Sequence, residues 1–247
     1  MRGLGKLIWV KLKLFFREPE AFFFTLIFPV LMLFVFGSIY GNEPLDIFGG
    51  RGTVDMSVPA YMGIIIATTG LMSIPISVAT DREKRVLRRL RTTPVRPHTI
   101  ITAWLVMYFG ITLVGALLLV AAGKLVYDMR FDGNVLYVFL AFTLGTLSFF
   151  ALGFVVASLA PTGRTANIVG MVLFFPMIFF SGATIPWQTL SEGVQRVGRA
   201  LPLTYVVQLL QGLWFGEPWS EHLLKVAVLL GMLIVGVVVS AKTFRWD

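Results

Sequence analysis

Six long runs of uncharged, mostly apolar residues constrain the fold of this chain more than any other feature. The runs cover residues 21–40, 58–79, 100–122, 135–160, 165–185 and 226–241. A helix needs about 20 apolar residues to cross ~30 Å of hydrocarbon, and the first five runs reach that length. The sixth has only 16 residues, so we expect it to begin earlier, with Lys225 extending toward a lipid headgroup. The sequence therefore predicts six membrane-spanning helices.

The distribution of apolar residues within the runs favours helices over a β-barrel. Barrel strands alternate apolar and polar residues, whereas these runs are apolar on every face. Composition agrees, because 57% hydrophobic residues, 14% charged residues and a mean hydropathy of +0.83 lie outside the balance of soluble domains. The predicted fold class is all-α, a polytopic membrane protein with one transmembrane domain over residues 1–247.

Lys and Arg residues are divided unevenly between the two sides of the six spans. Fifteen lie on the side that carries both termini and the loop after the second span, and five lie on the opposite side. Since positively charged loops remain in the cytoplasm, we expect both termini to be cytoplasmic and the chain to lie in a cell membrane, plasma or inner. We expect no nucleic-acid partner, because the basic residues flank apolar spans rather than a solvated face with stacking aromatics.

The segment before the first span has the pattern of an amphipathic helix. At helical spacing, basic residues share one stripe and apolar residues share the opposite one: Arg2, Lys6, Lys13 and Arg17 against Leu4, Ile8, Leu12 and Phe15. Lys11 falls at the edge of the apolar face. Such a helix lies in the membrane interface, in contact with lipid, and Pro19 would then turn the chain into the first span. A generic positive-inside anchor without further role is the alternative.

The loop after the second span, DREKRVLRRLRTTPVRP over residues 81–97, contains seven Lys or Arg residues. Thr80 and Glu83 have the spacing of a capping box, which predicts a short helix that starts there. Val86, Leu87 and Leu90 would project apolar side chains from this basic helix. Exposed apolar residues on a loop helix indicate a docking site for a protein partner or for the membrane surface.

The segment between the fifth and sixth spans predicts two further helices. Apolar residues repeat at helical spacing over residues 190–201, Pro202 breaks the pattern, and residues 203–215 form an apolar run of thirteen. That run is too short to cross, so it predicts a re-entrant outer hairpin that includes Pro202, Tyr205, Val207 and Leu210. An ordinary amphipathic surface loop is the alternative.

The end of the fifth span combines a helix-kinking residue with aromatic side chains. Pro176 removes a backbone donor and would let the helix bend. Phe175, Phe179 and Phe180 could then close a hydrophobic constriction, which makes these four residues a possible gate. The same aromatic residues also fit a plain lipid-facing surface.

Several kinds of chemistry have no residues in this sequence to support them. There is no phosphate-cradling G-x-x-x-x-G-K-[ST] motif and no cysteine, and His98 and His222 are far apart. The first five runs contain no charged residue, although ion-coupled carriers usually keep one near the midplane. We therefore expect no catalytic, cofactor-binding or metal site in this chain, and no enzymatic activity of its own.

Three phrases, in this order and with six spans, resemble the membrane subunits of ABC-2 type ATP-binding-cassette transporters. The phrases are FFREPEAFFFTLIFPVLMLFVFG, the basic loop DREKRVLRRLRTTPVRP and FFSGATIPWQTLSEGVQRVGRALPLTYVVQLLQ. In that family the loop after the second span is a coupling helix that docks on a separate ATPase subunit. The resemblance assigns this role to Arg82, Glu83, Arg85, Val86, Leu87, Arg88, Arg89 and Leu90. The chain departs from the family pattern at Lys84 and Arg85, where a Gly is expected before the hydrophobic residue.

The resemblance implies the permease subunit of an ATP-driven exporter. Its partners would be two ATPase subunits, which carry ATP and Mg, and a second copy of the chain or a homologous permease. The uncharged spans suit an amphipathic or apolar cargo: a drug-like molecule, a lipid or a lipid-linked glycan. The small neutral residues in or near the spans would either form hydrogen bonds between helices or, for a subset, line a pathway between two copies. They are Thr68, Thr69, Ser73, Ser77, Thr102, Thr112, Thr143, Thr146, Ser148, Ser158, Asn167 and Ser181. The alternative from another class is a carrier or scaffold that works without an ATPase.

Overall fold

The computed structural model describes residues 2–86 and 97–243. Within these residues the chain is helical and contains no strand, which confirms the all-α prediction. One isolated antiparallel bridge, between Leu45 and Arg51, closes the loop between the first two spans.

Six helices of the described residues are long and apolar enough to cross a membrane, as predicted. In chain order these spans 1 to 6 are Phe23–Tyr40, Thr53–Glu83, Thr99–Tyr127, Val135–Leu159, Gly163–Phe180 and Trp219–Thr243. Span 6 does begin earlier than its apolar run, with the 3₁₀ turn Trp219–His222 followed by the α-helix Leu223–Thr243. The end of the bundle with the loop between spans 2 and 3 is called the basic end, and the opposite end the far end.

Two spans are built from consecutive helical pieces. Span 1 joins a π-helical turn, Phe23–Ile27, to the α-helix Phe28–Tyr40, and the short helix Pro19–Phe22 precedes it. Span 2 joins Thr53–Thr68 to Ile74–Glu83 through the π-helical turn Thr69–Ser73. The helix of span 3 begins at Pro97 and ends at Tyr127.

Besides the short helix Pro19–Phe22, three helices of the described residues lie outside the spans. They are α1 (Arg2–Phe15) before span 1, and α2 (Glu192–Gly198) and α3 (Pro202–Trp214) between spans 5 and 6. Two 3₁₀ turns, Asp46–Phe48 and Trp187–Thr189, complete the far end. The interfacial placement of α1 and the re-entrant path of the segment between spans 5 and 6 stay predictions.

Span 2 is the centre of the bundle. Of its most apolar stretch, 83% is buried within the protein, against 11% for span 6. It packs against spans 1, 3, 4 and 5 and against α3, so every face of this helix is covered. This burial explains why its sequence is apolar all round rather than along one stripe.

Glycines let the neighbouring spans approach the π-helical turn of span 2. A Cβ added to Gly153 of span 4 would lie 2.0 Å from the carbonyl oxygen of Gly70, and one added to Gly170 of span 5 would lie 2.4 Å from that of Leu71. Only a residue without a side chain fits at such crossings, as is common between membrane helices. Spans 2, 4 and 5 are therefore locked together around this turn.

Candidate functional site

The end of span 2 carries the predicted coupling residues. Span 2 continues as an α-helix through Glu83, so the prediction that a new helix starts at Thr80 is wrong. The reason is that Thr80 lies inside the α-helix Ile74–Glu83, whereas a cap residue has a non-helical backbone and precedes the first helical residue. Of the predicted coupling residues, Arg82, Glu83, Arg85 and Val86 are described, whereas Leu87, Arg88, Arg89 and Leu90 lie outside the described residues.

Arg85 ends span 2 in a left-handed conformation. Its φ is +55°, a region that costs a residue with a side chain roughly 1–2 kcal/mol and costs Gly almost nothing. This is the neighbourhood in which the family pattern leads us to expect Gly. The chain therefore makes the same turn without the residue best suited to it.

Glu83 connects the end of span 2 to the beginning of span 5. Its carboxylate Oε2 accepts a hydrogen bond of 3.0 Å from the backbone N–H of Gly163, the first residue of span 5. A carboxylate at this position stabilises the unpaired amides and the positive end of the helix dipole. The Thr162 hydroxyl accepts from the Thr165 amide at 3.1 Å and completes the cap. Glu83 thus bonds the end of span 2 to the first turn of span 5.

Arg82 makes the equivalent connection to span 4. Its guanidinium donates to the carbonyl oxygen of Ala160, the residue that follows the last turn of that span. Carbonyl groups at a helix C-terminus are unpaired and attract cations. Two adjacent side chains of opposite charge therefore hold the end of one helix and the start of the next.

Lys11 attaches α1 to spans 2 and 3. Its ammonium group forms an ion pair with the Asp81 carboxylate, and the two side chains are only 12% and 14% exposed. It also lies 5.3 Å from the centroid of the buried Trp104 ring, a cation–π contact. The placement of Lys11 at the edge of the apolar face of α1 is explained by this pair. We call Lys11, Asp81, Arg82 and Glu83 the basic-end junction.

A cavity of about 320 Å³ opens beside the junction, between the start of span 1, the π-helical turn of span 2 and span 5. We call it the basic-end cleft. Its polar lining within the spans consists of Thr68, Ser73 and Asn167. The Ser73 hydroxyl is buried and has no hydrogen-bond partner among the described residues. A cleft of this size with a few neutral polar groups suits a small amphipathic molecule.

Charged residues stand only at the mouth of the basic-end cleft, where Arg17 and Glu18 lie. Desolvation by the surrounding protein raises the pKa of the Glu18 carboxyl, Lys11 opposes this shift, and Asp81 adds to it. Because the Glu18 side chain keeps contact with solvent, this shift has little weight for stability.

Most of the small polar residues in the spans bond to their own helix. Thr69 and Thr112 donate to the carbonyl oxygens four residues earlier, at 3.0 and 2.7 Å. The Ser148 hydroxyl also lies 2.8 Å from the Leu229 carbonyl oxygen and so links span 4 to span 6. These contacts support the helix-packing interpretation for this group, whereas Thr68, Ser73 and Asn167 line the cleft.

The possible gate residues lie near the far end of span 5. Pro176 is inside the continuous helix Gly163–Phe180. Phe175, Phe179 and Phe180 are 48%, 46% and 37% exposed on the single chain. Such an aromatic surface would contact either lipid or a second copy, so the gate stays a prediction.

The four residues predicted for the outer hairpin all lie in α3. Pro202 is the first residue of α3, and the Tyr205 hydroxyl donates to the Arg199 carbonyl oxygen at 2.7 Å. Val207 and Leu210 are almost fully buried, because α3 packs against spans 2, 4 and 6. Protein contacts therefore account for the apolar sequence of α3, and whether the hairpin dips into the membrane stays a prediction.

Asp55 is the buried acid that sequence reasoning missed. It is 1% exposed near the start of span 2. Its Oδ1 accepts from the Asn42 amide and the Arg130 backbone N–H, both at 2.9 Å, and its Oδ2 accepts from the Gly52 N–H at 3.1 Å. The signal was available, since an acid at the third helical position is typical of a cap. Asp55 ties the two far-end loops together.

A second missed cluster joins α3 to span 6. The ring of His222 is 1% exposed, with Nε2 3.2 Å from the Glu217 carboxylate and Nδ1 2.7 Å from the Lys225 ammonium. Lys225 thus bonds to His222. Among the described residues, no three His, Asp or Glu side chains are grouped as metal ligands.

Comparison with known proteins agrees with this architecture. The family model for ABC-2 family transporter protein matches residues 48–242. The transport permease ycf38 of Porphyra purpurea is 24% identical over 236 residues, which cover 92% of this chain and 79% of the relative. Nodulation protein J of Rhizobium leguminosarum bv. viciae is 30% identical over 111 residues, 45% of this chain and 43% of the relative. The multidrug ABC transporter permease YbhR of Escherichia coli (strain K12) is 24% identical over 161 residues, 65% of this chain and 44% of the relative.

The family match runs from the loop before span 2 to the end of span 6 and therefore includes the junction residues Asp81, Arg82 and Glu83. It covers most of the chain, and the six spans agree with a multi-pass membrane protein. This chain belongs to the ABC-2 family of transporter proteins.

Proposed function

We propose that this chain is the transmembrane subunit of an ATP-driven exporter. Residues 1–247 would form one permease domain, paired with a second copy or a homologous permease and with two ATPase subunits that hold ATP and Mg. The chain itself would hydrolyse nothing. It would lie in the cell membrane, with both termini in the cytoplasm beside the ATPases.

The basic-end junction is the observation that carries this proposal. Arg82 and Glu83, the first two predicted docking residues, lie in the last turn of span 2 and bond across to spans 4 and 5. A push on the docking segment therefore reaches three spans at once, and α1 follows through Lys11 and Asp81. Closure of the ATPase pair would thereby tilt these spans as a rigid group, as in other domain-closure transitions.

The basic-end cleft supports a cargo that is amphipathic or apolar. Its walls within the spans carry neutral side chains, and its charged residues stand at the mouth. A strongly charged cargo would lose its hydration there without gaining a partner. The printed name of the YbhR relative, a multidrug transporter permease, is consistent with drug-like compounds, and lipids or lipid-linked glycans fit the same chemistry.

Capture of an ATPase by the tagged chain tests the proposal. Replacing Leu87 and Leu90 with Asp should remove two apolar contacts of ~1.5 kcal/mol or more each, which weakens docking roughly hundredfold. The matched control replaces both with Met, which keeps the apolar contact. After purification from native membranes, a photoreactive ATP analogue should label a partner of the wild type and of the Met variant only. If the wild type has no labelled partner, the carrier or scaffold alternative takes its place; if the Asp variant retains the labelled partner, Leu87 and Leu90 are not the docking residues.

A further inference from the structure

A second cavity, of about 440 Å³, opens at the far end between spans 3 and 4. We call it the far-end groove. Met62 of span 2 and Phe142 of span 4 form its floor and are almost fully buried, whereas Leu117 on its rim is 58% exposed. The groove therefore opens on the outer surface of the helix bundle.

The far-end groove exists because spans 3 and 4 diverge although they are consecutive. Span 3 packs mainly on span 2 and α1, and span 4 packs mainly on span 6. The loop that connects spans 3 and 4 is bonded to α3, since the Trp214 indole N–H donates to the Arg130 carbonyl oxygen at 3.1 Å. The Phe131 and Trp214 rings meet edge to face at 4.7 Å and close the end of the groove. The gap is thus fixed by contacts on both sides.

The length of the groove matches one leaflet of a membrane. Its lining on span 3 runs from Leu113 to Lys124, a stretch of 12 residues separated by 11 helical steps. At ~1.5 Å per residue this is roughly 16 Å, about half of the ~30 Å hydrocarbon thickness. A spanning helix of a partner would need a groove of twice that length, whereas an acyl chain of one leaflet fits.

Two opposite charges stand at the mouth of the groove. The Lys124 ammonium lies 2.7 Å from the Asp128 carboxylate, and the two side chains are 60% and 93% exposed. The hydrogen bond from Lys124 lowers the pKa of the Asp128 carboxyl, which favours its charged form. An ion pair this exposed contributes little stability by itself, so each partner can bond elsewhere. A phosphate next to a primary ammonium group would satisfy both charges.

We propose that the far-end groove binds one phosphatidylethanolamine molecule. One acyl chain lies between spans 3 and 4, the phosphate meets Lys124, and the ammonium donates to Asp128. The lipid fills the gap between the spans and packs against Trp214, so it supports the position of α3. This site is separate from the basic-end cleft, and the export proposal does not depend on it.

Native mass spectrometry of the purified chain tests lipid retention. The chain is released from nanodiscs that contain equal amounts of phosphatidylethanolamine, phosphatidylcholine and phosphatidylglycerol. Leu117→Trp fills the groove, and Leu118→Trp makes the same change on an adjacent face that is 48% exposed and does not line it. We expect one retained phosphatidylethanolamine in the wild type and the control, and about tenfold less in Leu117→Trp, since overpacking costs roughly 1–3 kcal/mol.

A separate substitution tests whether the lipid headgroup contacts Asp128. Asp128→Asn removes the ammonium partner, and Asn tolerates the left-handed backbone of this position, φ +47°. We expect it to lose the preference for phosphatidylethanolamine over phosphatidylcholine while Leu117→Trp loses both lipids. The proposal is overturned if the wild type retains the three lipids equally or none, if both Trp variants behave alike, or if association of two copies displaces the lipid. Thermal unfolding of each variant shows whether it is folded.

Discussion

Asp55 shows how a single side chain organises the far end. A carboxylate with less than 2% exposure usually has a cationic partner. The Asp55 carboxylate instead accepts hydrogen bonds from three N–H groups. The donors come from the loop between spans 1 and 2 and from the loop between spans 3 and 4. The start of span 2, at the centre of the bundle, is therefore fixed by backbone amides and one Asn side chain.

Removal of the Asp55 carboxylate should destabilise the protein strongly. Asp55→Ala leaves buried donors without an acceptor, which we expect to cost about 3 kcal/mol, or roughly 6–12 °C in the midpoint of thermal unfolding. Asp46, an exposed acid in the loop between spans 1 and 2, provides the control. Asp46→Ala should change the midpoint little, and equal effects of the two variants would contradict the structural role of Asp55.

Arg85 offers the opposite test, a substitution that should stabilise. Arg85→Gly relieves a φ of +55°, and we expect a gain of about 1 kcal/mol because Gly adopts this region freely. The neighbouring Lys84 has an ordinary φ of −78°, so Lys84→Gly should lower the stability instead. Thermal unfolding of the two purified variants would distinguish them, and shifts of the same sign would count against the strained turn.

At the scale of elements, the sequence was most informative where one physical effect dominates. The length of the apolar runs predicted the first five spans, and the sixth was predicted by assuming that its short run begins earlier, which the structure bears out. The prediction of a new helix at Thr80 was wrong, because the residue spacing of a capping box also occurs in the last turn of a continuing helix. The roles of Glu83 and Lys11 could not be predicted, since their partners Gly163 and Asp81 are distant in sequence.

The depth of the α2–α3 hairpin is open to direct measurement. Val207 and Leu210 are core residues, so probes belong on α2, where Val197 is 52% exposed and Glu192 is exposed. The chain has no native cysteine, which allows single nitroxide labels at these two positions. If the hairpin dips into the membrane, the label at 197 collides with oxygen and the label at 192 with a water-soluble relaxing agent. Equal aqueous access at both would make the hairpin an external loop.

At the scale of the whole molecule, the two ends of the bundle differ in charge and in construction. The basic end joins α1 and spans 2 to 5 through charged side chains, whereas the far end is held by Asp55 and by the packing of α3. Both the docking residues and the cleft lie at the basic end. If the chain works with an ATPase as proposed, that end would face the cytoplasm, where ATP is available.

Thiol labelling of intact cells tests this orientation. Single Cys substitutions at Thr92, Asp46 and Gly193 place one probe on the loop between spans 2 and 3 and two at the far end. Because Lys and Arg concentrate on the side of Thr92, an impermeant reagent should label positions 46 and 193 and spare position 92. Labelling of position 92 alone would show that the orientation is the opposite of the predicted one.

The most direct test of the account is whether ATP moves span 5 through Glu83. A nitroxide at Ile168, which is 56% exposed on span 5, reports the distance between two copies in the complex with the ATPase. Glu83→Ala removes the bond to the Gly163 amide, whereas Glu83→Gln keeps an acceptor oxygen there. We predict that ATP changes the distance in the wild type and in Glu83→Gln but not in Glu83→Ala, although all three hydrolyse ATP. An unchanged response to ATP in Glu83→Ala would contradict the coupling role of the basic-end junction.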